Sequence, residues 1–273
     1  MRLLASVPVQ NGAVEVPIDV GSYGLFMIKY KGNALPGQTI TRADLGDVQL
    51  VMNGEFDINV DADFLNRCSN LYGGFAKFSS TTGSAYDAVI FIPTGLWWDP
   101  ANVYYVHDTD RTSFRLRFTS LSSKSASGKV ELYAKFKYGA QRYKYRLFNR
   151  NVVSSGGGDV VDVIDVLGIA NIYLKSTSIV DNVQIQKGRY LVDGSFDAVL
   201  NYSDWIHQLE SSGDLIGIEF AESRDYREAL VEGGVVAKYR FNASGTLEQY
   251  YGQVIRTPDR EELSKAFAVM QMK

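Results

Sequence analysis

Cysteine is almost absent from this chain. The single one, Cys68, excludes an internal disulfide framework, and its place in a helix-like stretch, Phe64 to Leu71, reads as a small buried apolar residue. Histidine is nearly as scarce. His107 and His207 lie in opposite halves of the chain, whereas a zinc site needs three or four ligands, and Ser-His-Asp or Cys-His chemistry finds no well-placed base. No apolar run approaches the ~18 residues needed to span a bilayer. The N-terminus, Met1-Arg2-Leu3-Leu4-Ala5, is too weakly apolar for a secretory signal, so a soluble protein made in the cytoplasm is expected. The glycine clusters Gly156 to Gly158 and Gly233-Gly234 lack the Lys-Ser/Thr of a phosphate loop and read as linker and turn. A net charge of -3 gives no general electrostatic case for nucleic acid.

Aromatic residues are abundant, with 17 Tyr and 14 Phe, which favours pleated surfaces. The chain alternates accordingly. Ala13 to Val16, Asp47 to Met52, Glu55 to Val60, Ser113 to Thr119 and Lys129 to Tyr138 read as strands; Leu25 to Tyr30 and Ala88 to Ile92 read as buried ones. Asn53-Gly54 is a strong type I′ hairpin signal, because that turn needs positive φ at both central positions. Asp61 or Asp63 can cap a short helix that follows. Alternation then stops in a basic stretch, Ala140 to Asn151, and Ser154 to Gly158 is the most flexible composition in the chain.

The second half restarts the series. Val160 to Val166 and Ile169 to Leu174 read as strands. Asn182 to Gln186 and Arg189 to Val192 flank Lys187-Gly188, with an ambiguous register because Asp193-Gly194 follows closely. Ser203 or Asp204 caps a helix through Leu209, Leu215 to Phe220 is a buried strand, and Glu222 to Glu232 is an exposed helix. Val235 to Phe241 and Leu247 to Ile255 form a closing pair, and Arg260 to Met272 is a terminal helix. A repeated unit of this kind must be sought first, because missing it changes the whole fold. The expected fold is all-β: two tandem eight-stranded jelly rolls, each with a short inserted helix, plus a C-terminal helix. Residues 1–145 form the first roll, 146–158 a linker and 159–273 the second roll with the terminal helix.

Three groups of residues could carry chemistry. Asp57, Asp61 and Asp63 are spaced as weak calcium ligands or as paired carboxylates of a glycosidase, against a plain reading as strand and cap positions. Arg142, Lys144, Arg146 and Arg150 interleave with Tyr143, Tyr145 and Phe148. That pattern suits anionic lipid or nucleic-acid phosphate, and equally a charged edge strand. Trp97 and Trp98, in a loop, are candidates for an interface or a carbohydrate platform.

The order of elements resembles the double jelly-roll major capsid proteins of membrane-containing tailless icosahedral phages, of the corticovirus type. The matching pieces are Val48-Gln49-Leu50-Val51-Met52-Asn53-Gly54, Phe148-Asn149-Arg150-Asn151, and Ile172-Tyr173-Leu174-Lys175 with Val183-Gln184-Ile185. The resemblance implies a non-enzymatic structural protein without a cofactor, calcium being the one ion the spacing admits. It implies a homotrimer with a pseudo-hexagonal footprint, tiling an icosahedral shell over an internal membrane and assembled in the host cytoplasm. Partners would be neighbouring trimers, minor and vertex capsid proteins and the lipid, with no sequence-specific nucleic acid. A spike or carbohydrate-binding β-sandwich and a double jelly-roll hydrolase acting on glycans are the competing readings.

Overall fold

The computed structural model describes residues 1–69, 77–99, 101–175, 177–188, 190–195, 206–208, 215–220, 226–231 and 233–257. In the first half the strands are β1 (Arg2–Pro8), β2 (Ala13–Ile18), β3 (Gly21–Ala34), β4 (Asp47–Met52) and β5 (Glu55–Asp61). Helix α1 (Ala62–Cys68) follows, then β6 (Lys77–Ser80), β7 (Ala85–Ile92), β8 (Tyr104–Val106), β9 (Thr112–Arg117), helix α2 (Thr119–Lys124) and β10 (Ser125–Phe136). The second half has β11 (Tyr143–Asn149), β12 (Val152–Ser154), β13 (Gly158–Ile164), β14 (Ile169–Lys175), β15 (Val180–Lys187), β16 (Tyr190–Ser195), β17 (Ile206–Gln208) and β18 (Leu215–Glu219). Helix α3 (Tyr226–Val231), β19 (Val235–Phe241), β20 (Gly245–Leu247) and β21 (Gln249–Arg256) complete it.

The two halves repeat one strand order. In the first, β1-β10-β3-β7 packs over β2-β9-β4-β5; in the second, β11-β21-β14-β18 is matched with β13-β19-β15-β16. Each is therefore an eight-stranded jelly roll. Strands β6 and β8 are additions to the first, and β17 with the β12-β20 ladder to the second. Alternation places Phe26 of β3 edge-on to Phe114 of β9 at 5.1 Å, so the two sheets of the first roll share one core. Ile172, Ile185, Ile218 and Tyr239 sit in the smaller core of the second.

The hairpin signal at Asn53-Gly54 forms as its chemistry requires, with φ of 53° and 87°. In the second roll Lys187 pairs with Tyr190, so the chain turns directly after Lys187, and Asp193-Gly194 belongs to β16. Lys187 is not a turn residue but a fully buried one. Its ammonium donates to the Ala229 carbonyl at 3.2 Å and stands 5.5 Å from the Phe220 ring centre. A buried amine of this kind needs such polar and aromatic partners.

Other expectations shift. Asp61, not Asp63, caps α1, its Oδ1 accepting from the Phe64 N–H at 2.7 Å. Of the helix expected to reach Leu209, Ile206–Gln208 is strand β17, paired with β18; the remainder and the terminal helix lie outside the described residues. The basic stretch is strand β11, so the expected linker, 146–158, begins inside a strand and also contains β12.

A 3-10 turn, Arg42–Leu45, is tied to α2 through Asp44. That carboxylate accepts from Thr41 N–H and Oγ at 2.7 Å each and from Ser120 Oγ at 2.5 Å, and lies 2.8 Å from Lys124 Nζ. Burial pushes its pKa up, but the bonds from Lys124, Ser120 and Thr41 outweigh this and hold it at about 2. A carboxyl depressed on folding adds stability above its ordinary pKa near 4 and loses it as pH falls through about 2. Asp44→Asn is therefore expected to lower stability at pH 7 and to flatten the acid limb between about pH 4 and 2. Urea midpoints taken across that range check this; an unchanged acid limb would count against it.

Candidate functional site

Most of the residues that stand out in the sequence meet at one place, the seam between the two rolls; Arg150 instead pairs with Asp162 inside the second roll. The backbone of the seam is β11. Tyr143, Tyr145 and Leu147 alternate inward and are buried, while Lys144, Arg146 and Phe148 take the other face. Strand β11 pairs antiparallel with β21 on one side. On the other it runs parallel to β5 of the first roll, Leu147 opposite Ile58 and Phe148 opposite Asn59. One nine-stranded sheet, β17-β18-β14-β21-β11-β5-β4-β9-β2, thus passes through both rolls.

The acidic cluster of the first roll faces cations and hydroxyls of the second. Asp57, fully buried, has Lys144 Nζ at 2.8 Å and Arg146 Nε at 3.3 Å from Oδ1, contacts at ion-pair distance whose angles fall outside hydrogen-bond geometry. Tyr104 donates to Asp57 Oδ2 at 2.6 Å, and burial together with that carboxylate pushes the phenol up, so it stays a donor. Arg146 also binds Glu55 and holds its carboxyl below the usual range. Asp61, besides capping α1, accepts from Tyr250 Oη at 2.5 Å; burial pushes its pKa up against those two bonds. Asp63 pairs with Arg67 at 2.8 Å and lies 3.6 Å from Lys175, which in turn binds Glu248 at 2.8 Å.

Aromatic rings fill the same seam. Phe64 of α1 stacks on Tyr250 at 3.9 Å and 12°, and meets Tyr173 edge-on at 5.3 Å. The loop after β7 is bound to β11: Tyr143 Oη accepts from the Leu96 N–H at 3.0 Å, and Asn102 Nδ2 donates to the Tyr143 carbonyl at 3.1 Å. Trp97 and Trp98 are half-buried in this loop, and Trp97 Nε1 donates to Glu219 of β18 at 3.0 Å. Arg142 lies 3.7 Å from Asp99, and Arg150 binds Asp162 at 2.9 Å. Gly252 of β21 leaves room for Asn171 and Tyr145 Oη: a Cβ there would stand 2.0 and 2.3 Å from them.

The arrangement is suited to holding two bodies together. Each of the three candidate carboxylates has its own protein partners, and among the described residues no three His, Cys, Asp or Glu side chains gather closely enough to hold a metal ion. Among the same residues no helix is long and apolar enough to cross a membrane. Sequence reasoning missed the seam because the charges of β11 masked its alternation, Tyr143-Lys144-Tyr145-Arg146-Leu147, which is as regular as any strand in the chain.

No family model and no curated protein matches the sequence. Solved structures do match. The major capsid protein P2 from bacteriophage PM2 superimposes with a TM-score of 0.62 at 13% identity, over 94% of this chain and 98% of that one. The chain folds as a double jelly roll. The PBCV-1 virus capsid gives a TM-score of 0.56 at 8% identity, covering 92% of this chain and 93% of its own. At such identities the likeness is one of fold, and the double jelly roll expected from the order of elements is present. Within it, β11 takes the place in the second roll that β1 takes in the first.

Proposed function

We propose that this protein is a structural major capsid protein, located in the virion shell and acting by assembly. The observation that carries the reading is the fold match to the PM2 capsid protein along nearly the whole of both chains, both rolls included. The seam supports it. Covalent tandem rolls locked by a shared sheet and a shared core behave as one rigid building block, which a closed shell requires.

In this reading three chains form a homotrimer. Its six rolls give a pseudo-hexagonal footprint, and the trimers tile an icosahedral shell over an internal membrane, with minor and vertex proteins completing it. Obligate contacts of this sort bury about 2,000 Å² or more. The seam takes up Lys144 and Arg146, which are 19–20% exposed. Arg142 and Arg150, 53% and 44% exposed, are the members of the basic stretch left to an anionic lipid surface.

Size-exclusion chromatography with light scattering tests the assembly unit. The purified chain is expected at three times its 30.3 kDa mass at micromolar concentration. A strictly monomeric chain would overturn the proposal.

A further inference from the structure

We infer that the joint seen inside the chain is used again between chains: β16 of one copy pairs edge to edge, in parallel, with β1 of the next. This rests on the trimeric capsid reading and names the edges that build it. Inside the chain, β5 ends the sheet β2-β9-β4-β5 of the first roll, and it pairs in parallel with β11, the outer strand of β11-β21-β14-β18. Among the described residues the repeat leaves the equivalent pair of edges open. The counterpart of β5 is β16, the last strand of β13-β19-β15-β16; the counterpart of β11 is β1, the first strand of β1-β10-β3-β7. Among the described residues no strand pairs with the outer side of either.

The correspondence extends to side chains. Gln49 donates to Asn59 across β4-β5 at 3.0 Å, and Asn59 is one of the two β5 residues that pair with β11. Gln184 donates to Asp193 across β15-β16 at 3.1 Å, which puts Asp193 where Asn59 stands. Both open edges carry exposed apolar side chains. Met1 and Leu3 are 55% and 47% exposed on one, and Leu191 is 59% exposed on the other. Arg2 lies on the first edge and Asp193 on the second, giving them opposite charges. An open strand edge is a template for another chain, and monomeric proteins blunt it. The internal joint needs only two residue pairs, so the bulge between Leu3 and Ala5 leaves enough of β1 to form its equivalent. Such a contact is heterologous, one edge against a different one, and it makes a ring when the rotation closes.

The test is disulfide trapping in the full chain. Cysteines are placed singly and in pairs at Leu3 or Ser6 and at Leu191 or Asp193, followed by mild oxidation and non-reducing electrophoresis. At least one pair is expected to give a covalent trimer as the largest product, with neither of its single variants linking beyond two chains. In parallel, Leu3→Lys and Leu191→Lys are each expected to raise the trimer dissociation constant at least tenfold. Val161→Lys, exposed on β13 at the opposite end of the sheet from β16, is expected to leave it within twofold. Trimers by light scattering that no pair cross-links, and that both lysine variants leave intact, would overturn this joint while leaving the capsid reading standing. Cross-linked ladders longer than three chains would overturn closure of the ring by this joint. A chain that is monomeric before any substitution would fail the capsid reading itself.

Discussion

Asp57→Ala is expected to lower the unfolding free energy by about 3–5 kcal/mol, the cost of removing one partner from a buried charge cluster. The reason is local. Asp57 has no exposed surface, and its loss leaves Lys144 and Arg146, both mostly buried, with an excess of positive charge at the seam. It also strands the Tyr104 hydroxyl. At a few degrees per kcal/mol for a chain of this size, the melting temperature should fall by roughly 10 °C. Asp57→Asn keeps an acceptor for Tyr104 but not the charge, and should lose about 2 kcal/mol. Replacing Asp57, Lys144 and Arg146 together by Leu, Met and Met should recover much of the loss, because buried ion clusters are dispensable once every member is removed. Urea unfolding at matched protein concentration measures all three variants. Matching is needed because assembly stabilises the folded chain by mass action. A change within 1 kcal/mol for Asp57→Ala would mean that water, not protein, solvates this carboxylate.

Phe64→Ala should do comparable damage by a different route. The ring is buried between Tyr250 and Tyr173, so its removal opens a cavity and costs about 3–5 kcal/mol. It should also change the form of unfolding. The core of the first roll continues through Phe64 into Tyr173, Tyr250 and Val254 of the second, so the intact chain is expected to melt as one cooperative unit. With the ring gone, the smaller core of the second roll should melt separately, giving two calorimetric transitions. One transition with an unchanged ratio of calorimetric to van't Hoff enthalpy would show that the shared sheet alone couples the rolls.

Much of this fold was legible along the chain. Strand alternation, the Asn53-Gly54 turn and the cap at Asp61 are local features, each encoded within a few residues, and they were enough to reveal a repeated all-β unit. The charged strand β11 was missed although a period of two is present from Tyr143 to Leu147, because its lysine and arginine drew attention to ligands instead. Nor was Lys187 legible. A lysine beside a glycine is ordinary turn chemistry, and only the surrounding second roll makes it an interior residue.

By itself the sequence determined most of the strands and their repetition, because hydrophobic periodicity and turn residues act over a handful of positions. It also singled out the acidic cluster near Asp57, the basic stretch near Lys144 and the loop tryptophans as unusual. Only the tertiary structure decided that these belong together. Tyr250 reaches Asp61 from 189 residues away, and parallel pairing of β5 with β11 is specified by no hairpin turn. Such contacts are selected by the packing of complete sheets: Asp57 can be buried only where two cations are buried with it, and that place exists only once both rolls have formed.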